Sequence, residues 1–241
     1  MRNLSHALIG FLMPAVTACF GIDFEAGLDG SGRVVSETRN VSGFDRVAVE
    51  NDFDVEVTVG PVPSLTVSGD DNLLPHVRTE VRGSTLHIED ERELDPTQSI
   101  SVRVTVPTLR ALGSSGSSDV RTTGIRSEAF DASVSGSSEM VADGDFGDLD
   151  ASISGSGQIR LQGTADEIQG EVSGSAELDL ARVVARRAVI RVSGSGGVVV
   201  NVTEDLQASV SGSGDVRYLG NPRVDARTSG SGSVGREQTQ G

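Results

Sequence analysis

Seven copies of one tripeptide carry the side chains best placed to do chemistry. Ser115 and Ser117, Ser135 and Ser137, Ser154 and Ser156, Ser173 and Ser175, Ser193 and Ser195, Ser211 and Ser213, and Ser229 and Ser231 each flank a glycine. Stacked at the spacing of neighbouring strands, they would form two hydroxyl columns repeating about every 4.8 Å. Such a face could bind a polymer, a glycan or a partner's strand. Alternatively, small hydroxyls at a tight corner satisfy one another and the backbone. Three residues after each glycine stand Asp119, Glu139, Glu177 and Asp215, interrupted by Gln158, Gly197 and Ser233. Stacked carboxylates invite calcium, but the spacing differs from that of Gly-Gly-x-Gly-x-Asp repeats, and a solvated acidic face is the plainer reading.

Other chemistry is narrowed by what the chain lacks. All 20 basic residues are Arg, which removes Schiff-base and P-loop lysines. The net charge of -15 repels a phosphate backbone, so no nucleic-acid partner is expected. One Cys permits no internal disulfide, and with 3 His it leaves no Cys/His zinc cluster. No cofactor or metal is expected. A polysaccharide-cleaving enzyme could use paired carboxylates, but the acids form columns rather than a distinctive cluster, and no outward Trp or Tyr platform awaits a sugar ring. His87 lies between Leu86 and Ile88 and should face outward as a surface histidine; His76 is the other one beyond the leader. No catalytic residue is assigned.

The elements that must position the serines follow from spacing. The tripeptide glycines are Gly116, Gly136, Gly155, Gly174, Gly194, Gly212 and Gly230, in steps of 20, 19, 19, 20, 18 and 18 residues. So short a period accommodates a few strands per turn and no helical hairpin. Counted from each glycine, position -2 (Val134, Ile153, Val172, Val192, Val210) and position +4 (Met140, Ile159, Leu178, Val198, Val216) are largely apolar. Positions -6 and +6 add Phe130, Leu149, Ile168, Leu206, Leu161, Leu180 and Val200. Every apolar column has an even offset, so even positions point inward and both serines outward. Glycine then faces in, and with the small +2 column it marks a narrowing or a corner.

Composition agrees with an all-β β-solenoid built from 18–20-residue coils. The 32 Val against 17 Leu suit a pleated surface, and aromatics are only 3%, so a thin core of small side chains is expected. A lone coil cannot offset its own ordering entropy, which is why copies must stack. Residues 111–235 are read as the seven Ser-Gly-Ser coils and 236–241 as a polar tail. Residues 38–110 keep the alternation, as in Phe53, Val55, Val57, Val59 and Ile100, Val102, Val104, Val106, and are read as irregular first coils capping the rod. Between these strands, Asp70 to His76 breaks the period as a short helical turn or loop.

The beginning reads as an address. Arg2 precedes an apolar run, Ala7 to Val16, too short to span a bilayer. It ends in Val16-Thr17-Ala18-Cys19, which resembles a bacterial lipobox, making residues 1–18 a signal peptide and Cys19 the lipidated residue that anchors the protein to a membrane. Ordinary cleavage after Ala18 is the alternative, and either exports the protein. Phe20 stands where Asp would favour inner-membrane retention, so the resemblance implies an outer-membrane lipoprotein. Residues 19–37 lack any period and read as a flexible tether.

Longer segments resemble a known family. Val41-Ser42-Gly43-Phe44-Asp45-Arg46-Val47-Ala48-Val49, Asp54-Val55-Glu56-Val57-Thr58-Val59-Gly60 and Gly83-Ser84-Thr85-Leu86-His87-Ile88 resemble the amino-terminal part of the bacterial family called putative auto-transporter adhesin, head GIN domain. Gly212-Ser213-Gly214-Asp215-Val216 and its copies resemble the family's repeats. No Gly-Ile-Asn occurs here. The resemblance implies a right-handed parallel β-helix on an exported or lipid-anchored protein, and no catalytic residues come with it. The expected function is a non-enzymatic envelope scaffold or adhesion module, with a glycan or an envelope protein as partner.

Overall fold

Apolar residues at every second position form strands almost wherever the parity calls for them, and the strands stack as coils. The structure is a computed structural model that describes residues 27–237. One coil illustrates the rest. The strand Ala129–Gly136 ends at the tripeptide glycine, the chain bends through Ser137 and Ser138, and Glu139–Asp145 runs back along the opposite sheet. A second corner at Phe146 and Gly147 leads to Asp148–Gly155, which lies parallel on Ala129–Gly136 with Phe130 over Leu149, Val134 over Ile153 and Gly136 over Gly155. In later coils the second corner is absorbed into long bent strands, Gln158–Gly174, Glu177–Gly194 and Gly197–Gly212. The -2, +4 and -6 columns meet in a continuous core, in which Val192 is 2% exposed and Ile159 and Leu178 fully buried. The fold is a parallel β-solenoid.

Of the narrowing or corner expected at the glycine column, the structure shows the corner. All seven tripeptide glycines have positive φ, between +98° and +118°. A Cβ on any of them would lie no more than 2.6 Å from the carbonyl oxygen of the matching residue one coil below. Left-handed backbone and close coil stacking, rather than lack of room inside, therefore require glycine. The +2 column is crowded from two sides. At Gly157, Gly196 and Gly214 a Cβ would lie within 2.6 Å of the carbonyl oxygen of Ser138, Ala176 and Gly196 one coil below, and within 2.7 Å of Cγ1 of Val134, Val172 and Val192. Where that coil carries Ser114 instead, +2 is Ser138, and the Ser114 hydroxyl donates to the Ser138 hydroxyl at 2.8 Å.

The amino-terminal half does form the rod's first coils, but space and sequence order differ. Arg46–Asn51 and Asp54–Val59 stack directly beneath Ala111–Gly116 and Asp119–Arg126, with Asn51 under Gly116 and Val55 under Val120. Beneath that coil lie Thr85–Asp90 and Ser101–Val106, which come later in the chain. Three antiparallel strands close this end: Val77–Arg82 on Thr85–Asp90, Ser64–Asp70 on Ser101–Val106, and Val34–Arg39 on Ser64–Asp70. The 3-10 turn Leu74–His76 accounts for the broken period, and Leu73 and Leu74 are fully buried there.

Two expected boundaries are corrected. The described part of the tether is folded: Leu28–Asp29 pairs with Leu94–Asp95, and Val34–Arg39 is the antiparallel strand just named. Polar side chains hold it. The buried Asp70 carboxylate accepts from the Gly32 N–H at 2.7 Å, the Thr97 N–H at 2.9 Å and the Thr97 hydroxyl. Asn72 accepts from the Ser31 N–H and donates to the Asp29 carbonyl. Such bonds leave no hydrophobic period to read. At the far end Ser233–Arg236 is a strand and the Glu237 N–H donates to the Tyr218 carbonyl, so the last coil runs past residue 235. The signal peptide, Cys19 and residues 238–241 lie outside the described residues.

Candidate functional site

All fourteen tripeptide serines are exposed, as the parity requires. The structure divides them into two sets. The -1 serines stand on the flat sheet formed by the strands that end in glycine. The +1 serines sit around the bend, where each backbone N–H reaches the coil below: Ser137 to the Gly116 carbonyl at 2.8 Å, Ser156 to Gly136 at 2.9 Å, Ser195 to Gly174 at 2.8 Å. Inside the corner, the buried hydroxyl of Ser118 donates to the Asn51 carbonyl and that of Ser138 accepts from the Ser118 N–H.

The -1 set lines a shallow groove of about 400 Å³ on the flat sheet. Ser115, Ser135, Ser154 and Ser173 form one wall, crossing four coils. Its floor is the neighbouring outward column, where Ala48, Gly113, Ser133 and Ser152 are all small. Glu50 and Glu171 close the two ends. One column further out, Asp131 and Asp150 are stacked neighbours, and Arg46 pairs with Asp131 at 3.4 Å. Burial, with the charges of Asp131 and Glu171 added, pushes the Asp150 carboxyl above its usual value. The groove thus offers hydroxyl donors and acceptors in a row under a negative potential.

The floor and both ends were missed by the motif. Ser133 and Ser152 lie outside the tripeptide, and Ala48 and Glu50 belong to a copy with no Ser-Gly-Ser at all. Asn51 reveals that copy: it has φ +74°, the one non-glycine with positive φ among the described residues, and takes the glycine's place in the stack. Asparagine tolerates the left-handed region better than most residues. Its side chain donates to Asp90, whose carboxyl burial pushes up. The readable signal is the apolar parity of Val47, Val49, Phe53 and Val55 around it.

The +3 column stacks Asp54, Asp119 and Glu139 in register before Gln158 interrupts it, and most of its acids find partners other than one another. Glu139 pairs with Arg160 at 3.2 Å, Glu177 accepts from the Gln158 amide at 3.0 Å, and Asp215 accepts from the Ser233 N–H at 3.0 Å. Among the described residues no three His, Cys, Asp or Glu side chains are grouped to hold a metal ion. His87 is on the outward face beneath Ala48, but it is half-buried rather than a surface histidine: its Nδ1 is buried without a hydrogen-bond partner, 3.9 Å from Glu50. His76 ends the 3-10 turn and is remote in the chain from every serine copy.

Residues 43–222 match the family described as "Putative auto-transporter adhesin, head GIN domain". The chain belongs to this family. That description goes with an exported or cell-surface protein. Solved structures share the fold. A "putative adhesin" from Bacteroides fragilis is 20% identical, with a TM-score of 0.80 over 88% of this chain and 100% of its own. A "putative lipid binding protein" from Parabacteroides distasonis is 25% identical, with a TM-score of 0.73 over the same shares. A "putative adhesin" from Parabacteroides merdae is 21% identical, with a TM-score of 0.70 over 88% of this chain and 99% of its own. Among curated proteins none matches the chain.

Proposed function

We propose that this protein is a non-enzymatic, lipid-anchored module of the bacterial cell envelope that binds a partner along its flat serine face. The observation that carries the reading is the groove itself: four -1 serines in a row over a floor of small residues, closed by Glu50 and Glu171. A row of hydroxyls at strand spacing suits a repeating polar ligand, a glycan or an extended segment of an envelope protein, bound edge-on through hydrogen bonds. The near absence of aromatics argues against stacking on sugar rings. The family description supports adhesion, and the lipobox-like Val16-Thr17-Ala18-Cys19 supports an outer-membrane anchor. The name of the Parabacteroides distasonis relative adds lipid to the ligands worth testing.

A glycan array and lipid vesicles, each probed with the wild-type chain and with Ser135→Tyr/Ser154→Tyr/Ser173→Tyr, test the groove. Binding lost in the triple variant at unchanged melting temperature supports it; binding retained places the site elsewhere. Cys19→Ala should move the protein out of the membrane fraction, and continued membrane retention would refute the lipid anchor.

A further inference from the structure

The two ends of the rod are finished differently. At the amino-terminal end the core is plugged by Leu73 and Leu74, and the outermost strand Val77–Arg82 carries Arg78, Glu80 and Arg82 in ion pairs with one another and with Glu89. Charge on an edge strand discourages further pairing. At the other end the last coil, Arg223–Gly230 and Ser233–Arg236, has strand partners on one side only among the described residues. Its inward positions are uncovered: Val224 and Val234 are half-buried and Ala226 and Thr228 exposed, whereas Leu206, Ala208 and Val210 one coil below are buried. Repeat arrays need a terminal cap, and this coil does not supply one.

Backbone parity says how the end can be covered. Throughout the rod, outward residues donate toward the preceding coil and inward carbonyls accept from the following one, as in Asp131 N–H to Arg110 and Ser231 N–H to Gly212. In the last coil this leaves the N–H and C=O groups of Val224, Ala226 and Thr228 directed out of the end. We propose that a second copy of this chain covers it, tail to tail, through antiparallel pairing of Arg223–Gly230 about a two-fold axis at Ala226. Antiparallel pairing joins residues whose groups both face the partner, so inward must pair with inward. Of the registers that do this, centring on Asp225 sets Asp225 against itself and Arg223 against Arg227. Centring on Arg227 sets that arginine against itself. Centring on Ala226 pairs Val224 with Thr228 of the second copy and overlaps nearly the whole strand. It also places Asp225 opposite Arg227 of the second copy twice, by symmetry. The strand's own charge pattern therefore selects a self-complementary register.

Sedimentation equilibrium on the full chain, with Cys19→Ala to remove any anchor, is the test. A concentration-dependent dimer is expected. Asp225→Arg converts both cross-strand ion pairs to repulsions and should weaken the dimer by about tenfold or more. Adding Arg227→Asp to Asp225→Arg restores the opposition with its signs exchanged and should restore the dimer. Both positions are exposed on the outer face, and circular dichroism melts check that the variants fold. A chain that stays monomeric at all concentrations, whether because another protein's strand or nothing covers this end, overturns the proposal. So does a dimer unchanged by Asp225→Arg, or one the double variant fails to rescue.

Discussion

Replacing Gly194 with alanine separates the two causes that could place a glycine at each corner. If glycine were there because the interior is narrow, a methyl group would meet side chains that can shift. The structure instead puts that methyl 2.5 Å from the carbonyl oxygen of Gly174 and 3.1 Å from its nitrogen, both backbone atoms. Real Cβ atoms essentially never come within 3.0 Å of such an atom, so the two coils must part by at least half an ångström. The oxygen in the way is the one that accepts the Ser195 N–H at 2.8 Å, so that bond lengthens as well. Three costs combine: backbone strain at φ +117°, about 1–3 kcal/mol; overpacking, about 1–3 kcal/mol; and a weakened hydrogen bond, about 1 kcal/mol. The loss should be on the order of 3–7 kcal/mol, a large part of the stability of a typical domain. Gly197 in the same coil is the control, because its φ is not positive and a Cβ there meets nothing within 4 Å. Gly197→Ala should be neutral or stabilising by roughly 0.5 kcal/mol. With no Trp and a single Tyr, urea unfolding is best followed by far-ultraviolet circular dichroism. Equal midpoints for the two alanine variants would refute the left-handed corner.

The inward register is checked by Val192→Asp, which buries a carboxylate at a position 2% exposed and should cost about 3 kcal/mol or more, against Ser193→Asp, which should stay within about 0.5 kcal/mol. Two carboxylates should respond to acid in opposite directions. The Thr97 N–H, followed by the Thr97 hydroxyl and the Gly32 N–H, holds the Asp70 carboxyl below its ordinary 3.8. Its stabilisation is complete above that value and is lost as pH falls through the lower folded value, so Asp70→Asn should melt at lower temperature at neutral pH and converge with wild type in strong acid. Asp150 is raised above 3.8, so its ionisation opposes folding. Asp150→Asn should be more stable than wild type at neutral pH, with the difference shrinking as pH falls through the raised folded value and vanishing below 3.8.

Much of the fold was legible because its rule is local. Side chains alternate across a strand, so Val134, Ile153, Val172 and Val192 announce one buried column and the flanking serines an exposed one. The cap was less legible. Ser31, Asp70 and Asn72 bind the start of the described chain through polar contacts that no hydropathy pattern records. Asn51 hid a corner because it shares glycine's tolerance for positive φ but not its name. The groove was half-legible: the tripeptide marks Ser115, Ser135, Ser154 and Ser173, whereas its floor at Gly113, Ser133 and Ser152 and its ends at Glu50 and Glu171 follow no motif.

By itself the sequence determined the class of fold, the period of the coil and the face each residue takes, since all of these depend on near neighbours in the chain or on a repeating unit stacked on itself. Tertiary structure decided which coils are adjacent where no repeat guides them. It set Thr85–Val106 beneath Arg46–Val59, although that coil comes later in the chain. It parted the fourteen serines into a flat row and a row around the bend, and it capped one end of the rod while leaving the last coil without a strand partner on its outer side among the described residues. These depend on contacts between residues far apart in sequence, whose partners are chosen by shape and by backbone hydrogen bonds that any side chain can make.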